Sequence, residues 1–415
     1  MTVSSHTVPG SGDDTVDVVI AGGGLVGAAL AVALVDSGLH VRLIEPTGLT
    51  PADPAQDTRA TALSESSSRF FEALGLWDCL AEQSEPIRQI HVSERGRFGR
   101  LRMHAREVGL EALGQVVPNP LMEAALGNFL QSAKRVSCVA DRVTSVAAPQ
   151  AEWRRVMLES GGVLHTRLLV VADGAASPLR DQLEIAASRR DFRQHALVAD
   201  VATQTALVGR AWERFTDQGP MALLPRGGNW GNLVLCVAPD EVDHWREMPD
   251  GPFLSACRER FGGHLGNWQQ VGPRQVFPLR QVQARELVRE RAVLIGNAAM
   301  ALHPVAGQGF NLALRGVADL AETLIESAGR GEDPGAADRL SRHARRRERD
   351  IAFTSGWTRA LAEGFVLDWP GVGMLRSKAL WSMDRLPLAR TWLTRRGTGM
   401  VPHLPALCRG VRPRG

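Results

Sequence analysis

The sequence predicts an α/β fold: a Rossmann-like parallel-sheet domain, interrupted by an antiparallel β-sheet domain, with a C-terminal helical extension. Three observations predict it. Apolar strand-like runs alternate with helical runs at the start of the chain. Short segments of alternating polarity, separated by glycines, break that pattern twice. From Asp338 onward the pattern is helical and strongly basic.

The first elements form a βαβ opening. Val16–Ala21 is an apolar run of strand length, Gly24–Ser37 has helical composition, and His40–Ile44 is a second apolar strand. Between Ile87 and Val117 segments such as Ile90–Ser93 alternate in polarity, as half-buried antiparallel strands do. Helical signals return at Leu121–Leu130, followed by strands near Val136–Val146 and Val156–Leu158 and the apolar strand Leu168–Val171. A second antiparallel stretch runs from Ala196 to Pro278 and includes Met221–Pro225 and Leu233–Val237. Ala292–Ile295 is a buried strand, Gly309–Ser327 a helix, and Pro370, Pro387 and Pro402 break the final helices. No internal repeat interrupts this order. The expected division is a tail over 1–14 and a nucleotide-binding domain over 15–86, 116–185 and 286–345. A sheet domain over 87–115 and 186–285 would carry the substrate, and the extension would span 346–415.

Composition bounds the function classes. A chain of 415 residues is too long for one small core, and 44% hydrophobic with 22% charged residues is globular composition. No apolar run reaches the roughly 18 residues of a membrane helix, because Val16–Leu34 is broken by Gly22, Gly23, Gly24 and Gly27. The polar first fourteen residues read as a frayed tail without a secretory signal. Five scattered cysteines without a CxxC pair point to small buried hydrophobes in a reducing cytoplasm, with no disulfide scaffold and no metal site. From Ser341 to the end there are 15 Lys/Arg against 5 Asp/Glu, or +10, so the first 340 residues carry −7. No recognition motif accompanies that basic region, which argues against nucleic acid and favours an anionic membrane surface or an acidic partner.

Gly22-Gly23-Gly24-Leu25-Val26-Gly27 is a GxGxxG that follows a strand and opens a helix. Gly22 permits the tight turn, Gly24 lets backbone approach a pyrophosphate, and Gly27 allows close helix–strand packing. The diphosphate then sits on unpaired N–H groups at the positive end of the helix. Glu45, 18 residues after Gly27, is placed to accept ribose hydroxyls and to repel a 2′-phosphate. These features indicate a dinucleotide without separating NAD from FAD.

Two further motifs separate them. Val170–Ser177 is an apolar strand ending in Asp173-Gly174, which puts a carboxylate at a turn beside the cofactor. Val293–Leu312 carries Gly296-Asn297 after a strand, then His303-Pro304, then Gly307-Gln308-Gly309-Phe310-Asn311 opening a helix. N–H groups of such a turn meet the electron-rich pyrimidine edge of a flavin.

These motifs, in this order, resemble the FAD-dependent aromatic hydroxylases of the p-hydroxybenzoate hydroxylase type, and within them the ubiquinone-biosynthesis hydroxylases. Thr58–Ser64, Leu113–Val117, Glu213–Thr216 and Gly219–Pro225 match as well, and the resemblance covers roughly residues 15 to 350. It implies that Glu45 and Arg59 face FAD, with Gln115 or Asn119 nearby. It places Asp173 near the cofactor and Asn297 at its ribityl or pyrophosphate portion, with Gly307, Gln308, Gly309 and Asn311 flanking the isoalloxazine. Asn297 stands where the superfamily usually has Asp; it keeps an acceptor but loses the charge.

Each candidate has a plainer reading. His303 and Pro304 are either a turn or a catalytic wall near the flavin. Trp212, Phe215, Leu223 and Pro225 line an apolar substrate pocket or pack an ordinary core. Arg315 reads as a solvated or salt-bridged helix residue. The chain has no tyrosine, so a proton relay would fall to His303, His195, an acid or water. In the extension, Leu375, Ala379, Met383 and Leu386 share a helical stripe beside Lys378 and Arg385, near Trp357, Trp369, Trp381 and Trp392. That pattern suits an interfacial helix at the inner face of the membrane, or docking onto the first domain, a partner subunit or a quinone-biosynthesis complex.

The expected chemistry is hydroxylation of a prenylated methoxyphenol. NADPH or NADH reduces FAD transiently, and O2 adds at flavin C4a as a hydroperoxide whose distal oxygen the ring attacks. Epoxidation, prenyl reduction and a non-catalytic subunit that binds FAD or lipid remain alternatives. Halogenation is disfavoured, since the only lysines are Lys134 and Lys378.

Overall fold

The computed structural model describes residues 14–49, 57–303, 307–364 and 372–413. Pro304, Trp369, Pro370 and the first thirteen residues lie outside that range. The architecture is mixed α/β, as the sequence predicts.

The first sheet holds five parallel strands in the order Ala292–Leu294, Val163–Val171, Asp14–Ala21, Val41–Ile44 and Val136–Val139. Arg154–Leu158 and Val143–Val146 extend it in antiparallel fashion. The parallel strands read as continuous apolar runs because both faces are covered: Val18, Val19, Ile20 and Leu168–Val171 are fully buried. Helix Leu25–Ala33 packs on helices Asn119–Gln131 and Gln308–Gly329 over one face. The first helix is shorter than the expected Gly24–Ser37. Ser37 Oγ donates to the Leu34 carbonyl at 2.6 Å, and Gly38 turns left-handed with φ +83°, which stops the helix early.

The second sheet is mostly antiparallel, in the order Met300–Ala301, Gln275–Ala284, Ala187–Thr203, Trp230–Val237, Gly219–Pro225, Arg210–Thr216, Gln89–Glu94 and Arg100–His104. Gln89–Glu94 runs parallel to Arg210–Thr216. The expected antiparallel stretch from Ala196 to Pro278 therefore needs correction: it also contains helices Val242–Glu247 and Asp250–Phe261. Their Trp245, Phe253 and Phe261 cover one face of the sheet through Leu197, Leu223, Leu233 and Leu235. A third, three-stranded sheet joins Ala60–Ser64, Gly114–Pro118 and Glu85–Ile87.

Helix Gln308–Gly329 is tied to helix Ala337–Gly364 by buried charges. Arg315 pairs with Asp350 at 2.8 Å, and Asp319 accepts from Arg346 at 2.6 Å while His343 Nδ1 lies 2.5 Å from it. Helices Val372–Arg385 and Pro387–Gly397 then dock on the second sheet at its Arg100–His104 edge. Ser377 Oγ accepts from Gly99 N–H at 2.7 Å, and Asp384 accepts from Arg102 N–H at 2.8 Å. The expected apolar stripe of this region splits. Met383 turns inward, whereas Leu375 and Leu386 are 67% and 57% exposed, because Gly373, Ser377 and Leu380 form the docked side. The cysteines also divide: Cys236, Cys257 and Cys408 are buried, but Cys79 and Cys138 are exposed, against the expectation that all five are core residues.

Arg180 locks one edge of the first sheet, a role its sequence position does not signal. Fully buried, it donates to the carbonyls of Ala175 (3.2 Å), Ala176 (3.3 Å) and Ala298 (3.0 Å). It thereby binds the turn after strand Val163–Val171 to the turn after strand Ala292–Leu294. Arg180→Met removes the donor from three carbonyls, of which that of Ala298 is buried, and should lower stability by about 1–3 kcal/mol in denaturant unfolding, with FAD retention falling in parallel.

Candidate active site

Strands Asp14–Ala21, Val41–Ile44, Val163–Val171 and Ala292–Leu294 all end on one edge, so Gly22, Glu45, Asp173 and Gly296 meet there although they lie far apart in sequence. Close packing dictates the glycines. A Cβ on Gly27 would stand 1.9 Å from the Gly22 carbonyl oxygen, and one on Gly22 (φ +108°) 2.4 Å from the Ala172 oxygen. Gly24 caps helix Leu25–Ala33 without a side-chain hydrogen bond, and nothing occupies the space a Cβ would fill. Gly23, passed over in the sequence, is as constrained: its N–H donates to Glu45 Oε2 at 2.6 Å, and a Cβ would meet Glu45 Cβ at 2.6 Å. Beside them Gly24, Glu45, Thr47, Leu49 and Glu123 line a cavity of about 150 Å³. Asp173 accepts from Leu179 N–H at 3.3 Å through Oδ2, while its buried Oδ1 has no hydrogen-bond partner among the described residues. Burial pushes the Asp173 carboxyl above its ordinary range. Gly296, left-handed at φ +59°, lies against Val26, and Asn297 beside it is exposed.

The second half of the site is built on the turn before helix Gln308–Gly329. Gly307 is left-handed with φ +59°, and no side chain caps the helix start. Asn311 braces this turn. Its amide donates to the carbonyls of Ala62 (2.9 Å) and Gly307 (2.7 Å) and accepts from Ser64 N–H (2.8 Å). That corrects its expected place among cofactor contacts, since a 1% exposed amide committed to three backbone groups holds the turn and not a ligand. Gln308 donates to Gly397 O at 3.5 Å, and Gly309 lies against Leu302. Asn119 accepts from Thr61 Oγ1 at 2.7 Å, and Gln115 pairs with Leu63 across the small sheet. Arg59 is engaged by Asp57 at 2.8 and 2.6 Å and lies 5.3 Å from the centre of the Phe277 ring. Burial raises the Asp57 carboxyl, but the Arg59 guanidinium outweighs it and holds that carboxyl below its usual range.

Between this turn and the second sheet lies an apolar cavity of about 450 Å³. Strand periodicity decides its lining. Ala211, Glu213 and Phe215 point into it, as do Pro220, Ala222 and Leu224 on the next strand and Val234 and Cys236 on the third. The intervening Met221, Leu223, Leu233 and Leu235 point to the opposite, helix-covered face. Leu223 and Pro225 are thus misassigned as pocket residues, being out of phase by one. Trp212 borders the cavity, but its ring packs on the other face against His91 (4.4 Å), Phe261 (5.6 Å) and His264 (5.8 Å). His303 lines it, its ring edge-on to Phe192 at 4.7 Å. Leu380, Met383, Trp392, Leu393 and Arg396 of the C-terminal helices line it as well. Their participation left no signal in the sequence, because only the docked fold brings them there. Glu213 could have been found from its in-phase spacing with Ala211 and Phe215.

The family model described as an FAD binding domain matches residues 15–352. The chain belongs to this family. This flavoprotein is 34% identical over 412 residues to ubiquinone hydroxylase UbiL of Rhodospirillum rubrum, spanning 97% of this chain and 95% of that one. It is 28% identical to 3-demethoxyubiquinol 3-hydroxylase of Escherichia coli, over 89% and 95% of the two chains. Among solved structures, p-nitrophenol 4-monooxygenase PnpA of Pseudomonas putida superposes with a TM-score of 0.75 at 16% identity, covering 93% of this chain and 98% of that one, a likeness of fold. The protein is a flavin monooxygenase with FAD as cofactor. Its residues fit that group: the open space at Gly24 accommodates a diphosphate, and the orphaned Asp173 oxygen suits a hydroxyl donor.

Burial lowers the His303 pKa to about 4, and burial followed by the Arg210 charge lowers that of His91 to about 4. Unfolded, both titrate near 6.5, so between pH 6.5 and 4 the unfolded chain binds more protons than the folded one. Stability is therefore full above that window and lost on acidification through it, by on the order of 3 kcal/mol for His303. Urea unfolding at pH 7 and pH 4.5 should show the loss, and His303→Leu should reduce it.

Proposed function

We propose that this monooxygenase hydroxylates the aromatic ring of a prenylated phenol on the route to ubiquinone, with O2 as oxidant and NADPH or NADH as transient electron donor. The observation that carries the reading is the cavity. It is lined by His303 and the Gly307–Phe310 turn, by an apolar sheet face, and by Leu380, Met383 and Leu393 of the C-terminal helices. An aromatic head at the turn and an apolar tail against the sheet and helices match that lining. The relatedness to ubiquinone hydroxylases supports the same substrate class.

When bound, FAD supplies two-electron reduction and oxygen activation. Gly22, Gly24, Gly27 and Glu45 hold its adenosine diphosphate half, and Asp173, Asn297, Gly307, Gln308 and Gly309 hold the ribityl and ring half. Arg59, Gln115 and Asn119 border the ring half from the small sheet. The apolar floor orients the substrate ring and excludes water, which would otherwise discharge activated oxygen without product. His303, neutral at physiological pH, walls the reacting end.

The C-terminal helices give the tail a way to the lipid. Met374, Leu375, Trp381, Leu386, Leu388 and Trp392 are exposed beside the cations Lys378, Arg385 and Arg395. In our reading this face rests on an anionic membrane surface, apolar side chains inserted and cations at the headgroups.

Two measurements test these readings. Cells lacking the protein should accumulate a prenylated phenol one ring oxygen short and lose ubiquinone, as read by mass spectrometry of lipid extracts. Unchanged ubiquinone with no such precursor, in cells without a second hydroxylase, would overturn the substrate. The purified protein should sediment with phosphatidylglycerol-containing vesicles. The double substitution Leu386→Asp and Leu388→Asp should weaken that binding at least about tenfold without changing FAD content.

A further inference from the structure

Among the described residues that line the cavity, only Phe353, Trp392 and Gly397 are exposed, the two aromatic side chains at 39% and 48%. The other lining residues are buried or half-buried. A residue that walls a cavity and also meets solvent stands at its rim, so the cavity has a mouth here. Phe353 belongs to helix Ala337–Gly364, and Trp392 and Gly397 belong to helix Pro387–Gly397. All three lie beyond residues 15–352, the stretch shared with the FAD-binding family. The Phe353 and Trp392 rings meet edge to face at 6.2 Å, and the Arg396 guanidinium lies over both, at 4.2 and 5.6 Å. Gly397 leaves room beside them: a Cβ there would meet nothing within 4 Å. Its carbonyl accepts from Gln308 at 3.5 Å, so the mouth opens beside the turn at which the substrate ring is seated in the reading above. Leu388, Trp392 and Arg396 follow at i, i+4 spacing, and one stripe of the helix runs from the 89% exposed Leu388 to the rim.

We propose that the tail of a prenylated substrate leaves the cavity through this mouth, and that the missing side chain of Gly397 keeps the passage open. The proposal rests on the prenylated phenol and the membrane-facing helices read above. A cavity of about 450 Å³ has the size that encloses a drug-sized ligand, so a ring bearing a long polyprenyl tail exceeds it. The ring stays at the turn, and the first units of the tail lie against the cavity wall. The rest passes the rim and continues along the Leu388–Trp392 stripe toward the bilayer, where its apolar surface stays out of water. The mouth therefore makes the site indifferent to the length of tail beyond the rim, and sensitive to anything that fills the rim.

The test gives the FAD-loaded protein two methoxyphenols in phosphatidylglycerol-containing vesicles, one with a single isoprene unit and one with a long polyprenyl tail. Gly397→Trp fills the mouth from a position with free space, and it replaces a helical glycine, so FAD should be retained. Its kcat/KM for the long-tailed phenol, divided by that for the short-tailed one, should fall at least about tenfold. Adding Trp392→Ala, which removes a rim ring, should bring that ratio back at least about threefold. In wild type, a photoreactive group midway along the long tail should label Phe353, Trp392 or their neighbours on the two helices. A ratio within about threefold of wild type in FAD-loaded Gly397→Trp would overturn the proposal. So would labelling confined to Ile87, Leu101 and Met103 inside the cavity, which decides the matter alone should Gly397→Trp not hold FAD. Wild type that hydroxylates neither phenol would overturn the substrate reading and the mouth's passenger with it. Wild type that hydroxylates both, with the ratio unmoved by Gly397→Trp, would overturn the mouth alone.

Discussion

No side chain fits between the first helix and the strand edge it caps. A Cβ on Gly27 would overlap the Gly22 carbonyl at 1.9 Å, and a Cβ on Gly22 would overlap the Ala172 oxygen at 2.4 Å. Because backbone meets backbone there, the helix start comes up against the sheet with its N–H groups still available to an anion. Gly23 N–H reaches Glu45 at 2.6 Å, and Ala172 N–H reaches the Ala21 carbonyl at 2.8 Å. Three separate stretches of chain are thereby held together. Arg180 completes the edge by spanning the second and third turns from inside.

The cavity depends on a different regularity. Strands Arg210–Thr216, Gly219–Pro225 and Trp230–Val237 alternate between a face sealed by helices Val242–Glu247 and Asp250–Phe261 and a face left for the cavity. The sealed face carries Met221, Leu223, Leu233 and Leu235, while the cavity face sets Ala211, Ala222 and Val234 among the larger Glu213, Phe215 and Leu224. The small residues among them make the room. A shift of one residue in register would exchange the two faces and fill the site.

The C-terminal helices finish the enclosure. Asp384 and Ser377 anchor them to backbone at Arg102 and Gly99, and Arg376 and Arg390 pair with Glu94 at 2.6 Å and Glu107 at 2.8 Å. These polar links hold Leu380, Met383 and Leu393 over the end of the sheet cavity. The same helices keep an exposed apolar and basic side away from the site they enclose.

The sequence by itself determined the fold class and picked out Gly22, Gly27 and Glu45 at the strand edge, because those signals are local. A glycine pattern between a strand and a helix, and an acid at the end of the next strand, need only nearest neighbours to be legible. Asp173 and the Gly296–Asn311 stretch were legible for the same reason. Tertiary structure alone decided which residues line the cavity. Leu223 and Trp212 look like pocket residues in a one-dimensional reading, yet strand phase turns them to the helix-covered side, while Glu213 and Ala222 turn inward. Asn311 sits in the cofactor motif but is spent on backbone. Met383 and Leu393 join the cavity from more than 60 residues beyond the turn they face. A residue's type is written in the chain, but the direction of its side chain is set by register and docking, which are properties of contacts between distant segments.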